Sequence, residues 1–166
     1  MFRHQSEMKP KVYLETSVVS FLTARPSRDA VAVGMTALTK KWWTTEREAF
    51  DLFVSDIVIR EASAGDPDAV KRRLAVLQGM TTFEADSEAK ALAVVLLRNM
   101  ALPAKAADDA AHIAIAAVQG MNYLLTWNCR HIANAVMRLK MEGLCSAEGY
   151  RCPIICTPHE LRMPQP

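Results

Sequence analysis

The stretch Lys11-Val12-Tyr13-Leu14-Glu15-Thr16-Ser17 decides the fold. It begins with β-forming residues and ends at a carboxylate followed by two hydroxyls, which predicts a strand with polar groups at its carboxyl end. Further along the chain, short apolar runs alternate with stretches of helical periodicity, and right-handed crossovers place such helices on both faces of a sheet. We therefore predict an α/β fold of three layers, α/β/α, with a central, mainly parallel sheet of about five strands.

The other strands are predicted where apolar runs are bounded by polar or turn residues, at residues 50–54, 80–83, 122–126 and 153–156. A helix is expected after Arg25-Pro26-Ser27, with Val31, Met35, Leu38 and Trp42 on one face. Further helices are predicted after Ser55 or Asp56, after Asp66-Pro67, over 87–100 and 106–119, and around Ile132, Val136 and Leu139. The helix over 87–100 is apolar on nearly all sides, so we expect it to be well buried.

Composition bounds the domain organisation. The chain has 166 residues, 51% of them hydrophobic, and a formal charge of +2. This fits a single domain over 11–160 with an N-terminal extension, 1–10, and a C-terminal tail, 161–166. No apolar run is long enough to span a membrane, and the polar N-terminus is unlike a secretory signal, so a cytoplasmic location is expected. A charge of +2 does not by itself predict nucleic-acid binding.

Four polar residues stand at or just beyond predicted strand ends, or on the helices that follow: Glu15, Glu61, Asp109 and Asn128. Each has an ordinary explanation taken singly, as a helix cap, a surface acid or a turn residue. Ligand sites of open α/β sheets form beyond the carboxyl ends of the strands, so the four can converge. An all-oxygen cluster of this kind suits Mg²⁺ or Mn²⁺, which would also relieve repulsion among the carboxylates.

The pattern around these four residues resembles the PIN-domain family. The matching motifs are Tyr13-Leu14-Glu15-Thr16-Ser17, Ile59-Arg60-Glu61, Asp109-Ala110-Ala111-His112-Ile113-Ala114, Leu124-Leu125-Thr126-Trp127-Asn128 and Ile154-Ile155-Cys156-Thr157-Pro158. Each motif is weak alone, but their order and context are specific. The resemblance covers about residues 11–160, nearly the whole chain.

The resemblance implies a metal-dependent endoribonuclease of the VapC toxin branch, with RNA as substrate, a cognate antitoxin and a homodimeric state. It implies that Glu15, Glu61, Asp109 and Asn128 are the catalytic and metal-binding positions, and that Thr16, Ser17, Thr126 and His112 support them. His112 follows Asp109 by one helical turn, so it is expected either to orient that carboxylate or to be satisfied by the backbone. Arg25 and Arg130 are candidates for holding the RNA backbone.

Two departures leave a second function open. The family usually has Asp at the position of Glu15 and often has Asp at the position of Asn128, and an amide contributes no charge. The alternative is therefore a catalytically weakened PIN-fold module that binds RNA or protein without cutting. Trp43 is the candidate for a dimer or antitoxin interface, with simple packing as its alternative.

Overall fold

The structure, a computed structural model, describes residues 8–100 and 104–164 of the chain. Of the predicted N-terminal extension it describes only Met8 to Pro10, and of the C-terminal tail only Leu161 to Pro164. Within the described residues, no helix is long and apolar enough to cross a membrane.

In the part of the chain that the structure describes, five parallel strands form one sheet in the order β3-β2-β1-β4-β5. The strands are β1 (Lys11–Leu14), β2 (Asp51–Ser55), β3 (Thr81–Phe83), β4 (Tyr123–Leu125) and β5 (Ile154–Cys156). Each predicted strand is present with bounds shifted by a residue or two. The predicted α/β class and strand number are confirmed.

Among the described residues, seven α-helices cover the sheet: α1 (Thr16–Leu22), α2 (Ala30–Thr45), α3 (Asp56–Ala62), α4 (Pro67–Leu77), α5 (Ser87–Asn99), α6 (Ala107–Val118) and α7 (Ala135–Ala147). Helix α1 packs on α2, α3 and α4, whereas α5 packs on α6 and α7. The two groups make the outer layers of a three-layer α/β/α fold, as predicted.

Strand β1 lies at the centre of the sheet, and its apolar residues fit this position. Val12, Tyr13 and Leu14 are fully buried, because helices cover both faces of a parallel sheet. The chain builds outward from β1 to β2 and β3 on one side, and to β4 and β5 on the other. The strand order therefore reverses at β1, and a crevice forms beyond the carboxyl ends of β1 and β4. Glu15 and Thr126 are the residues that immediately follow these two strands.

Three details of the helices differ from the sequence expectations. Helix α1 was not predicted. Helix α5 was expected to be well buried, but it is buried along one face only, and Val94 on another face is 45% exposed. In α7, Val136 and Leu139 are 90% and 81% exposed, and Met141 and Cys145 form the buried face instead.

Gly120 joins α6 to β4, and its backbone conformation favours glycine. Its φ is +63°, a region that a side chain makes unfavourable, although a Cβ there would meet no atom within 4 Å. We expect Gly120→Ala to lower the free energy of unfolding by about 1 kcal/mol through backbone strain alone. Gly143→Ala, inside α7 and equally unobstructed, should instead raise it by about 0.5–1 kcal/mol. Urea titration of both variants measures the two changes in the free energy of unfolding. Changes of the same sign in the two variants would contradict the prediction.

Candidate active site

Glu15 lies in the crevice as the N-cap of α1. Its side chain is 6% exposed, and Oε1 accepts a hydrogen bond from the backbone N–H of Ser17 at 3.1 Å. The Thr126 hydroxyl donates to Oε2 at 2.6 Å, and the Ser17 hydroxyl donates to the same oxygen. Two hydroxyls and one amide thus hold a nearly buried carboxylate, which otherwise would be costly to bury. These contacts fix its orientation.

Glu61 reaches the same crevice from α3. Ser55, at the end of β2, caps this helix by accepting a hydrogen bond from Val58, which sets its direction. The Thr16 hydroxyl donates to Glu61 Oε2, and His112 Nε2 lies 3.1 Å from that oxygen. Burial raises the pKa of the Glu61 carboxyl, but hydrogen bonds from His112 and Thr16 outweigh it and lower the pKa below its ordinary value. Glu61 is therefore held as a carboxylate.

Glu15, Glu61 and His112 form a compact group of three. One ligand atom from each lies within 4.8 Å of the other two, and no other such group occurs in the described part of the chain. Two carboxylates this close disfavour each other's charged form unless a cation or hydrogen-bond donors lie between them. Two oxygen ligands and one nitrogen ligand could hold a divalent metal ion.

Behind this group, a buried hydrogen-bond chain runs through the sheet. The Tyr13 hydroxyl is 2.7 Å from His112 Nδ1 and 2.6 Å from Ser55 Oγ. Burial is the main cause that raises the pKa of Tyr13 far above its ordinary value, so the phenol stays protonated. His112 is 1% exposed, and its ring nitrogens contact Tyr13 and Glu61. The sequence had suggested Asp109 or the backbone as the partner of this ring, and the structure shows neither contact among the residues it describes.

Asp109 and Asn128 belong to a second group beside the first. Asn128 Nδ2 donates to Asp109 Oδ1 at 2.9 Å, and His131 Nδ1 lies 2.6 Å from Asp109 Oδ2. Asn128 Oδ1 also accepts from the backbone N–H of His131 at 3.1 Å. Asn128 therefore ties the first turn of α6 to the loop after β4. In this arrangement its amide positions Asp109.

Thr126 connects the two groups by hydrogen bonds. The Thr126 hydroxyl donates to Glu15 and accepts a hydrogen bond from the backbone N–H of Asn128 at 2.9 Å. Helix α6 links them a second time, because it carries both Asp109 and His112. The four residues singled out from the sequence thus lie in two adjoining groups, with Asp109 outside the group of three.

Comparison with solved structures identifies the fold. VapC20 of Mycobacterium tuberculosis, described as a toxin that cleaves the sarcin–ricin loop, matches with a TM-score of 0.56 and 16% identity, over 75% of this chain and 95% of its own. VapBC2 of Rickettsia felis, bound to a DNA fragment from its promoter, matches with a TM-score of 0.53 and 12% identity, over 89% of this chain and 98% of its own. The chain has a PIN-domain, VapC-like fold. No protein-family model and no curated protein matches the sequence.

The basic residues of this PIN-like fold differ in how they are used. Arg25, a candidate for holding RNA, pairs with Asp68 at 2.9 Å on the surface. Arg130, the other candidate, is exposed and makes no ion pair with any described residue. Arg72 and Arg73 donate to backbone carbonyls at the ends of α1 and α3, so this basic cluster joins helices. Arg130 remains the better candidate for a phosphate contact.

Trp43, the candidate interface residue, is half-buried in the PIN-like fold. The guanidinium of Arg47 lies 4.5 Å from the centre of its ring, and the ring packs against the hydrophobic core. Its neighbour Trp42 is buried and stacks on Phe50. These contacts favour packing as the role of Trp43.

Sequence reasoning missed two residues of the site. Tyr13 was quoted only as part of the first strand, although a tyrosine in the buried central strand must find a partner for its hydroxyl. His131 gave no recognisable pattern, because it lies in an irregular loop and its partner, Asp109, comes from a distant helix.

Proposed function

We propose that this protein is a divalent-cation-dependent endoribonuclease and the toxin of a type II toxin–antitoxin pair. The observation that carries the proposal is the group of Glu15, Glu61 and His112 at the point where the strand order reverses, with Asp109 and Asn128 beside it. The VapC-like fold agrees with this function, and the chemistry of the side chains supplies the specific support.

The donor set fits a hard divalent cation. Glu15, Glu61 and Asp109 each offer a carboxylate, and hydroxyls of Thr16, Ser17 and Thr126 already orient two of them. Carboxylate oxygens are the ligands that Mg²⁺ and Mn²⁺ prefer. We propose that Glu15 and Glu61 hold the cation and that Asp109 completes the site. Asn128 acts by positioning Asp109.

In the proposed reaction, water hydrolyses an RNA phosphodiester bond. A cation bound here would supply Lewis acidity, polarising a phosphoryl oxygen and lowering the pKa of a bound water. Asp109 or Glu61 would orient the attacking water, while the exposed Arg130 would attract the RNA backbone. The products expected are a 5′-phosphate and a 3′-hydroxyl.

We further propose an antitoxin partner, a homodimeric state and a cytoplasmic location. One solved structure with this fold is that of VapBC2 of Rickettsia felis bound to promoter DNA, which suggests a comparable partner for this chain. For the interface, the exposed Val136 and Leu139 on α7 are better placed than the half-buried Trp43. Gel filtration of the purified chain measures the oligomeric state.

Removal of the cation is expected to stop cleavage of a structured RNA. With EDTA the rate should fall by about 100-fold or more, because Lewis-acid stabilisation of several kcal/mol is lost. Adding Mn²⁺ or Mg²⁺ in excess of EDTA should restore it. EDTA already saturated with Mg²⁺ is the matched control, and product ends are read by ligation and phosphatase treatment. Cleavage that persists in EDTA would contradict the proposal.

A second candidate function is an RNA- or protein-binding module with a weakened site. It is favoured by Asn128, whose amide donates to Asp109 where a carboxylate would add charge for a cation. The two functions separate in one experiment that measures RNA binding by filter retention and turnover under the same conditions. Retention of RNA without turnover in any divalent cation supports the module.

A further inference from the structure

His112 faces the two carboxylates with one ring nitrogen and faces the protein interior with the other. Nε2 lies 3.1 Å from Glu61 Oε2. One ring nitrogen of His112 also lies within 4.8 Å of a carboxylate oxygen of Glu15 and one of Glu61, so the three residues could share a metal ion. Nδ1 lies 2.7 Å from the Tyr13 hydroxyl. A neutral imidazole has one donor nitrogen and one acceptor nitrogen, so the partner of Nδ1 decides what Nε2 can do.

The hydrogen bonds that connect Ser55, Tyr13 and His112 can run in either of two directions. In the first, Ser55 donates to Tyr13, Tyr13 donates to Nδ1, and the Nε2–H of His112 donates to Glu61. In the second, the Nδ1–H of His112 donates to Tyr13, Tyr13 donates to Ser55, and Nε2 presents a lone pair to the carboxylates. Ser55 Oγ already accepts from the Val58 N–H and has a second lone pair for Tyr13.

Hydrogen-bond accounting favours the first direction as the resting state without a cation. In it, each hydrogen of the three groups has an acceptor, including the hydroxyl hydrogen of Ser55, and the Nε2–H of His112 donates to Glu61. In the second, the Ser55 hydroxyl hydrogen loses its acceptor among the described residues, at a cost typical of a buried unpaired donor. A bound cation offsets that cost by taking the Nε2 lone pair.

We propose that His112 is a nitrogen ligand of the cation and that Tyr13 and Ser55 let it change tautomer when the cation binds. Nε2 releases its proton to solvent water and Nδ1 takes up one proton from solvent water, so the protein neither gains nor loses a proton overall. The two hydroxyls reorient while their oxygens stay in place. This inference rests on the proposed function, because it assumes that Glu15 and Glu61 hold the cation.

A nitrogen ligand changes which cation the site prefers. Mg²⁺ favours oxygen ligands, whereas imidazole nitrogen is a better ligand for first-row transition metals. We therefore expect the wild-type chain to bind Mn²⁺ about tenfold or more tightly than Mg²⁺. His112→Gln places an amide oxygen near the position of Nε2, so this preference should largely disappear. Tyr13→Phe removes the acceptor for Nδ1–H and should weaken Mn²⁺ binding by about tenfold.

Pulsed EPR on bound Mn²⁺, with no RNA present, tests the ligand directly. In the full-length wild type we expect coupling to a nitrogen, which changes when histidine alone is labelled with ¹⁵N. His112→Gln should abolish this coupling, whereas His131→Gln and the exposed His159→Gln should keep it. Affinities for Mn²⁺ and Mg²⁺ come from calorimetry. If His112→Gln fails to fold, three other samples still test whether His112 is the ligand. These are the ¹⁵N-histidine wild type and His131→Gln, by their nitrogen coupling, and Tyr13→Phe, by its Mn²⁺ affinity.

The outcomes distinguish this inference from the nuclease proposal. Bound Mn²⁺ without histidine coupling, or coupling that survives His112→Gln, overturns the role of His112 even if the protein cleaves RNA. Histidine coupling that depends on His112 in a protein that never cleaves RNA supports this inference and sinks the nuclease. Failure to bind Mn²⁺ at all overturns both.

Discussion

Replacing Glu15 by Gln is expected to lower the rate of RNA cleavage by about 1000-fold, because the site loses one of the two carboxylates that hold the cation. The substitution keeps the size of the side chain. Its amide oxygen can still accept from the Ser17 N–H, and its NH2 group, in the place of Oε2, can donate to the Thr126 or Ser17 hydroxyl once that hydroxyl reorients. Folding should therefore survive. Removing one of two close negative charges even relieves repulsion in the absence of a cation.

The measurement combines single-turnover cleavage with thermal unfolding in the presence and absence of Mn²⁺. A cation at 100 times its dissociation constant stabilises the wild type by about 2.7 kcal/mol, and the variant should lose most of this gain. Glu48→Gln, an exposed acid far from the crevice in the fold, is the matched control and should change neither quantity. Glu15→Asp keeps the charge but shortens the reach, so an intermediate rate is expected. Full activity in Glu15→Gln would remove the basis of the proposal.

The strands were predictable because the fold buries them on both faces. A strand such as Val12-Tyr13-Leu14 has to be apolar throughout, so it appears in the sequence as a short run of β-forming residues. The caps were equally visible: Asp66 and Pro67 begin α4 as expected, since the side chain of Asp66 accepts from Ala69 and proline suits the first helical position. Local chemistry fixes such boundaries.

The faces of the helices were harder to predict. Helix α7 carries apolar residues on two sides, and periodicity alone cannot say which side meets the sheet. Val136 and Leu139 turned out to face solvent, and Met141 and Cys145 to face the core. Helix α1 is only seven residues long, too short to show a clear period. In both cases tertiary packing, and not local sequence, decides the outcome.

The site divides in the same way. Glu15, Glu61, Asp109 and Asn128 could be singled out because each lies beyond a strand end or on the helix that follows, where an α/β sheet gathers its ligands. The division of these residues into two groups could not be predicted, because it depends on which side chains from distant parts of the chain form hydrogen bonds with each other. His112 joins Glu61 across the sheet and His131 joins Asp109 across a loop, and no spacing in the chain encodes either contact.

Asp109→Asn is expected to lower the cleavage rate by about 100- to 1000-fold, while Asp108→Asn changes it by less than about twofold. The two acids are neighbours in the sequence, but the structure uses them differently. Asp109 accepts from Asn128 and contacts His131 inside the site, whereas Asp108 pairs with Arg60 on the surface. Both partners of that surface pair are about half exposed, so breaking it should cost little.

Asp109→Asn should preserve the fold, which makes the rate informative. The new amide can accept from Asn128 through its oxygen and donate to His131 Nδ1 when that ring carries its hydrogen on Nε2. Only the charge is then lost, and charge is what distinguishes a group that orients water or completes a cation site from one that merely packs. Single-turnover rates, together with the unfolding temperature of each variant, separate the two roles. A large loss in Asp108→Asn with little in Asp109→Asn would reverse the assignment of the α6 carboxylate.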